Sequence, residues 1–185
     1  MSKVTVFIAD GTEESECIIT VDLLRRAGIE TELVSYNSSR EVVTSHNVKI
    51  ITDKAFDEAS FEDSDMLFLP GGKKGVANLS VSENVLSAVK DQAQKGKYIA
   101  AVCAGPTILG QLGLLEGKNT TCFPGFEDKL EGANCTGEGV VADGKILTGR
   151  GLGFSIDLAI KMIEVLEGED TAQKIKKQIQ HPATI

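Results

Sequence analysis

The sequence predicts a doubly wound α/β sandwich, in which helices cover both faces of a mostly parallel sheet. Three segments, Val4–Ala9, Asp65–Leu69 and Tyr98–Val102, carry apolar runs without the alternation of a half-exposed strand, which indicates strands buried on both faces. Amphipathic segments of helical periodicity separate these strands, and glycines such as Gly28 and Gly113 end the helices.

In chain order, the first strand leads through a turn into an amphipathic helix. Thr12 is expected to cap this helix, and Glu13 and Glu14 in its first turn suit the helix dipole. The helix is predicted to end near Ala27. The next predicted elements are a strand over Thr31–Tyr36, a hairpin over Arg40–Thr44 and Val48–Thr52, the strand Asp65–Leu69 and the loop Pro70–Gly75.

The second half has a less regular pattern, although Asp143-Gly144 is a strong hairpin signal. No repeat or linker is evident, so residues 1–185 are predicted to form one domain. The first predicted elements are a helix over Ser82–Gln94, the strand Tyr98–Val102, a helix that follows Cys103 and runs to about Leu112, and a strand over Asn119–Phe123. They are followed by a loop or short helix over Pro124–Leu130 and hairpin strands over Gly139–Val141 and Lys145–Thr148. A helix from Arg150 to about Leu166 and a last helix, capped by Asp170 and ending near Gln180, complete the chain.

Composition narrows the class of protein. Of the 185 residues, 42% are hydrophobic and 25% charged, as in soluble globular proteins, and the net charge of −8 argues against a nucleic-acid surface. The apolar run before Asp10 is too short for a signal peptide or a membrane span, so a cytoplasmic protein without a membrane partner is expected. Four cysteines without a C-x-x-C pair, and only two histidines, predict free thiols and no metal site.

Cys103 is the leading candidate for chemistry. It directly follows a buried strand, Ala104 and Gly105 permit close backbone approach, and Pro106 suits the first turn of a helix. This order is typical of a nucleophile elbow, and a helix amino terminus is expected to lower the pKa of the thiol. The alternative is that Cys103 is a small buried apolar side chain.

Glu16 is the second candidate. At about 100° per residue it shares the apolar face of the first helix with Ile19, Leu23 and Ala27. Burial would raise the pKa of this carboxyl, which could then stay protonated and donate a hydrogen bond to a nearby thiolate. Alternatively, Glu16 reaches solvent or a backbone amide at the helix start, and the sequence leaves both interpretations open.

The third candidate is the loop that contains Gly71 and Gly72. Glycines after a buried strand let backbone amides point at a ligand, and the amides of Gly72 and Ala104 together would form an oxyanion hole. A plain turn is the alternative, and G-G-K-K-G lacks the spacing of a Walker A loop. The weaker candidates are His46 for a substrate-side role, His181 near the terminus, the glycine-rich Gly149–Gly153, and Cys17, Cys122 and Cys135, for which structural roles are expected.

Five segments together resemble the ThiJ/PfpI superfamily, in its branch of parkinsonism-linked protein deglycases (DJ-one-like). The segments are A-D-G-T-E-E-S-E at 9–16, V-D-L-L-R-R-A-G-I at 21–29, L-P-G-G-K-K-G-V-A-N-L at 69–79, A-A-V-C-A-G-P at 100–106 and T-G-R-G-L-G-F-S-I-D at 148–157. The resemblance implies a flavodoxin-like fold, similar to class I glutamine amidotransferases, and a homodimer. It also implies that Cys103 is the nucleophile, Glu16 its protonated partner, Gly72 and Ala104 the oxyanion amides, and Arg26 an arginine near the dimer interface and the active site.

The chain departs from the family pattern at four positions. Protease-like members have a histidine where this chain has Ala104, and some deglycase members have one where it has Phe123. His46 stands where an arginine is frequent, and Leu152 replaces the proline of a G-P-G loop. Without a Cys-His pair, the peptidase and amidotransferase interpretations are weakened.

The leading hypothesis is a cofactor-independent deglycase or glyoxalase. Its implied substrates are methylglyoxal, glyoxal or their early adducts with proteins, thiols or nucleotides, and its product is a hydroxy acid. The alternative is an oxidative-stress sensor or redox-regulated chaperone that uses an oxidisable Cys103. A cysteine peptidase is the third hypothesis, disfavoured by Ala104.

Overall fold

Six of the ten strands form the central sheet of the computed structural model, which describes residues 1–182. The strands are β1 (Lys3–Ile8), β2 (Glu30–Ser35), β3 (Glu41–Val43), β4 (Lys49–Ile51), β5 (Met66–Leu69), β6 (Tyr98–Val102), β7 (Asn119–Thr120), β8 (Asn134–Cys135), β9 (Val140–Asp143) and β10 (Ile146–Gly149). The sheet order is β2-β1-β5-β6-β10-β9, with β9 antiparallel at one edge and the other pairs parallel. This is the flavodoxin-like order with one added edge strand, as the resemblance implied.

Helices cover both faces of the sheet. They are α1 (Glu14–Arg26), α2 (Lys73–Ser80), α3 (Glu83–Gln94), α4 (Pro106–Gln111), α5 (Ser155–Glu167) and α6 (Glu169–Gln178), with short 3-10 turns at Phe56–Glu58, Glu127–Lys129 and Leu152–Phe154. One apolar core joins α1, α5 and α6 to the sheet through residues such as Leu24 and Leu158, and a second core lies under α2, α3 and α4 around Val89 and Ile108. The predicted α/β sandwich is confirmed. None of the helices between residues 1 and 182 has the length and apolar character needed to cross a bilayer.

Two predicted caps are wrong. The Thr12 hydroxyl accepts the backbone N–H of Ala9 at 3.0 Å, so it closes the turn after β1, and Glu13 occupies the N-cap without a side-chain cap bond. The last helix begins at Glu169 after Gly168, one residue before the predicted Asp170 cap. In both cases the hydrophobic pattern placed the helix correctly and misplaced only its first residue.

The loop predicted over Pro70–Gly75 ends at Gly72, because residues from Lys73 onward form α2. This helix forms because Val76 and Leu79 pack into the second core. A glycine is required at position 75 for this helix to pack against the turn after β1, since a Cβ there would lie 2.5 Å from the Thr12 backbone nitrogen. The strand predicted over residues 119–123 is shorter than expected and pairs with β8, which the sequence pattern did not predict.

The site is positioned by the carboxyl ends of three neighbouring strands. The chain leaves β1 toward α1, β5 toward α2 and β6 toward α4 at the same edge of the sheet. Ligands of doubly wound sheets bind at this edge. The three candidate segments of the sequence therefore meet in space.

Candidate active site

Cys103 lies in a strained turn between β6 and α4. Its φ of +61° is in the left-handed region, which costs a residue with a Cβ about 1–2 kcal/mol. Two backbone hydrogen bonds fix it, because Cys103 N–H donates to the Gly149 carbonyl and Phe123 N–H donates to the Cys103 carbonyl, both at 2.9 Å. Gly105 must be small, since a Cβ there would lie 2.5 Å from the Leu69 carbonyl oxygen. The half-buried thiol thus lies in the predicted strand–turn–helix geometry of an elbow, and its role as a nucleophile stays a prediction.

Glu16 lies in the first turn of α1 and is only 1% exposed. Its Oε2 accepts the Gly71 amide at 2.8 Å, and its carboxyl is hydrogen-bonded to the Cys103 thiol. The burial expected of this residue is therefore confirmed, and the backbone amide contact of the alternative interpretation is present as well. Gly71 cannot carry a side chain here, because a Cβ would lie 2.5 Å from Cys103 Cβ and closer still to Glu16 Oε2.

The carboxyl and the thiol titrate as a coupled pair. Burial raises the pKa of Glu16 to about 7, although hydrogen bonds from the Gly71 amide and the Cys103 thiol oppose the shift. Burial also raises the pKa of Cys103 to about 12, and the ionised carboxylate of Glu16 acts in the same direction. The pair therefore holds its proton on sulfur when Glu16 is ionised.

The expected lowering of the thiol pKa by the helix amino terminus is wrong. The amides of Gly72 and Ala104 both donate to the Cys103 sulfur and lower its pKa, but burial and Glu16 outweigh them. Gly72 directs its amide there from a left-handed conformation, with φ of +94°, and a Cβ on it would meet the Gly11 carbonyl oxygen. These two amides lie beside the sulfur, where the oxygen of a carbonyl bound to Cys103 would be placed.

A cavity of about 320 Å³ opens onto the thiol. Phe123, one of the candidate residues named from the sequence, lies on its wall. The cavity is lined by Glu13, Glu16, Gly72, Lys73, Cys103, Ala104, Phe123, Phe126 and Leu152. Sequence reasoning missed Lys73 and Glu13, which were assigned to a loop and a helix start, and Phe126, for which no local signal exists.

His46 and Arg26 lie outside this cavity. Within residues 1–182, the one group of three metal-ligand side chains is Glu13, Glu14 and His46, whose ligand atoms lie within 4.8 Å of one another. His46 Nδ1 is 2.9 Å from a Glu14 oxygen, so the predicted substrate-side histidine contacts the start of α1 instead. Arg26 pairs with Asp22 at 2.7 Å on an exposed face of α1, and its role near a dimer interface stays a prediction, as does the absence of a metal.

The remaining cysteines lack the surroundings of Cys103. Cys17 and Cys122 are buried in the two cores, and burial raises the pKa of each thiol to about 12. Cys135 is half-buried on β8, 3.8 Å from the Thr120 hydroxyl. All four thiols are free; Cys103 is hydrogen-bonded to the Glu16 carboxyl, whereas Cys122 feels the charge of Glu127 without such a bond.

Comparisons with known proteins by sequence and by structure all find relatives of one family. The model of the DJ-1/PfpI family matches residues 2–165. The chain is 35% identical to Protein DJ-1 homolog B of Arabidopsis thaliana, over 95% of this chain but only 40% of that longer protein. It is 36% identical to the Parkinson disease protein 7 homolog of Danio rerio, over 94% of each chain, and 29% identical to the glutathione-independent glyoxalase DJR-1.2 of Caenorhabditis elegans, over 92% of this chain and 91% of that one.

Solved structures share the fold. The C103A mutant of the DJ-1 superfamily protein STM1931 from Salmonella typhimurium has a TM-score of 0.94 and 33% sequence identity, over 98% of this chain and 100% of that one.

Proposed function

The chain belongs to the DJ-1/PfpI family, and from that premise we propose that it is a Cys103-dependent enzyme of the glyoxalase or deglycase type. Its substrates are methylglyoxal, glyoxal or their early adducts with proteins, thiols or nucleotides, and its product is a hydroxy acid. The observation that carries the proposal is the hydrogen-bonded Cys103–Glu16 pair beside the amides of Gly72 and Ala104. The relative named as a glutathione-independent glyoxalase supports the reaction class.

The first step forms a carbon–sulfur bond. Because the thiol pKa is raised, Glu16 acts as the general base and takes the S–H proton as sulfur attacks the aldehyde carbon. The electron pair of the carbonyl moves to oxygen, and the Gly72 and Ala104 amides donate to that oxygen. Each such donor stabilises the transition state by about 3 kcal/mol. Protonation of the oxygen gives a hemithioacetal and returns Glu16 to its ionised form.

The second step moves hydrogen between the two substrate carbons. Glu16 removes the proton from the former aldehyde carbon to give an enediol and delivers it to the former ketone carbon. In methylglyoxal the aldehyde carbon is thereby oxidised to a thioester and the ketone carbon reduced to a secondary alcohol; in glyoxal the second aldehyde carbon becomes a primary alcohol. The electrons balance within the substrate in both cases. Water then cleaves the carbon–sulfur bond, releases the hydroxy acid and restores the thiol.

Purified wild-type protein and two cysteine variants test this proposal. Cys103→Ala is expected to abolish formation of lactate from methylglyoxal, whereas Cys135→Ala is expected to leave it unchanged, because Cys135 lies outside the cavity. The preparations must be free of contaminating glyoxalases. Equal lactate formation by Cys103→Ala and wild type would contradict the proposal.

A redox function is the second candidate. Cys103 is partly accessible, and a protonated Glu16 together with two amides can hydrogen-bond the oxygens of a sulfinate formed by peroxide. Peptide mass spectrometry after graded peroxide is expected to find sulfinate accumulating at Cys103, because these groups can hold it there, although the raised thiol pKa slows the first oxidation. Equal oxidation of Cys135, which is also half-buried but lacks a carboxyl partner, would contradict a dedicated sensor. Peptidase activity remains the minor alternative, since Ala104 supplies no imidazole.

The proposal includes a cytoplasmic location and self-association as a homodimer. Sedimentation of the purified protein tests the dimer, and a monomer at micromolar concentration would contradict it.

A further inference from the structure

Lys73 lies on the wall of the Cys103 cavity and also borders the neighbouring cavity beside Gly11 and Asn47. It is the first residue of α2 and directly follows Gly72, whose amide donates to the Cys103 sulfur. Its side chain is exposed and, within residues 1–182, makes no hydrogen bond or ion pair. This cation is therefore available to a molecule that enters the cavity.

Neither carboxyl group of the cavity forms an ion pair with Lys73. Glu16 is bound by the Gly71 amide and the Cys103 thiol. One oxygen of Glu13 accepts the Ser45 hydroxyl at 3.0 Å and lies 3.7 Å from His46 Nδ1. The rest of the lining is mostly apolar, so an anionic group that reaches into the cavity finds one unpaired charged partner there.

The stability of α2 gives no reason for a lysine at this position. A cation in the first turn opposes the helix dipole, and both Lys73 and Lys74 lie in the first turn of a helix that has no acidic residue there. Both lysines border the neighbouring cavity beside Gly11 and Asn47, but of the two only Lys73 also lines the cavity that opens onto the thiol.

We propose that Lys73 makes this cavity select carbonyl compounds that carry an anionic group, either a carboxylate or a phosphate, over neutral ones. The inference deepens the proposed function, since it specifies the class of aldehyde that Cys103 receives. The carbonyl is attacked at the sulfur while the anion of the same molecule lies against the ammonium of Lys73. A single exposed charge pair of this kind changes a rate about twofold to fivefold.

Alkylation of Cys103 tests the selection without requiring turnover. Iodoacetate and iodoacetamide both form a bond from sulfur to the methylene carbon and release iodide, but only iodoacetate is an anion. Peptide mass spectrometry gives the rate at Cys103 for each reagent. Lys73→Gln is expected to lower the iodoacetate-to-iodoacetamide rate ratio about twofold to fivefold at low salt, and added salt is expected to remove the difference.

Lys74→Gln is the matched control, because it removes the same charge one residue further along α2 and leaves the cavity wall intact. An equal fall in the ratio for Lys74→Gln would mean that only the overall charge matters and would overturn the inference. An unchanged ratio in Lys73→Gln would overturn it as well. Glu13→Gln is expected to raise the ratio, since it removes a carboxylate from the same cavity.

Turnover of three α-oxoaldehydes then identifies the anion. The probes are neutral 2-oxopentanal, its carboxylate-bearing counterpart 4,5-dioxopentanoate, and 3-phosphooxy-2-oxopropanal. Lys73→Gln is expected to lower kcat/KM for one or both anionic probes relative to the neutral one, and the larger fall shows whether carboxylate or phosphate is preferred. Equal falls for all three would contradict anion selection while leaving Cys103 catalysis intact. Failure of wild type on every probe, with the alkylation ratio still dependent on Lys73, would instead contradict the proposed function alone.

Discussion

Substitution of Gly71 by alanine tests how closely Glu16 and Cys103 must approach. The new methyl group would lie 2.5 Å from Cys103 Cβ and closer still to Glu16 Oε2. To reach an ordinary contact distance of 3.4 Å, these atoms must retreat by about 1 Å. Displacement of a catalytic group by about 1 Å lowers the rate about 100-fold, and overpacking of this kind lowers the free energy of unfolding by about 1–3 kcal/mol.

The assay compares kcat/KM for methylglyoxal with stability in urea. Gly71→Ala is expected to lose about 100-fold in kcat/KM while remaining folded. Gly153→Ala is the matched control, because a Cβ at that position meets no atom within 4 Å, and its kcat/KM should equal that of wild type. A folded Gly71→Ala protein with wild-type kcat/KM would refute the reasoning that the Glu16–Cys103 contact is required.

Two further predictions concern Glu16 and Cys103. Burial raises the pKa of Glu16 from 4.5 to about 7, so the folded state binds this proton more tightly than the unfolded chain does. The contribution of Glu16 to the free energy of unfolding is therefore complete below pH 4.5 and is lost as the pH rises through 7. In urea unfolding, the free energy of unfolding of wild type should fall by about 3 kcal/mol relative to that of Glu16→Gln between pH 4.5 and about pH 8. If the difference in free energy of unfolding between the two proteins did not change with pH, the raised pKa would be contradicted. Because Cys103 has a φ of +61°, Cys103→Gly should be about 1 kcal/mol more stable than Cys103→Ala, and equal stabilities would argue against strain at the elbow.

The elbow and the buried carboxyl could be predicted from sequence because their signals are local. A buried apolar run followed by Cys103, Ala104 and Gly105 specifies a strand and a tight turn whatever the rest of the chain does. The helical period alone placed Glu16 on the apolar face of α1, and the structure confirms its burial.

Other features depend on tertiary packing and could not be predicted in this way. The glycines and lysines before Val76 indicate a loop, and only contact with the second core makes that segment helical. Phe126 and Leu152 come from separate loops that meet across the cavity. The direction of the Cys103 pKa shift depends mainly on how deeply the folded chain buries the thiol, and the local sequence pattern of a helix start gives no information about that burial.

The most direct test of the proposed mechanism is to observe the covalent intermediate on Cys103. Wild-type protein is mixed with methylglyoxal, acid-quenched during turnover and digested, and its cysteine peptides are analysed by mass spectrometry. The proposed mechanism predicts an adduct with the mass of one methylglyoxal on Cys103. The adduct should form more slowly in Glu16→Gln, because that variant lacks the base that takes the thiol proton during attack. Sustained lactate formation with Cys103 unmodified throughout would contradict the proposed mechanism.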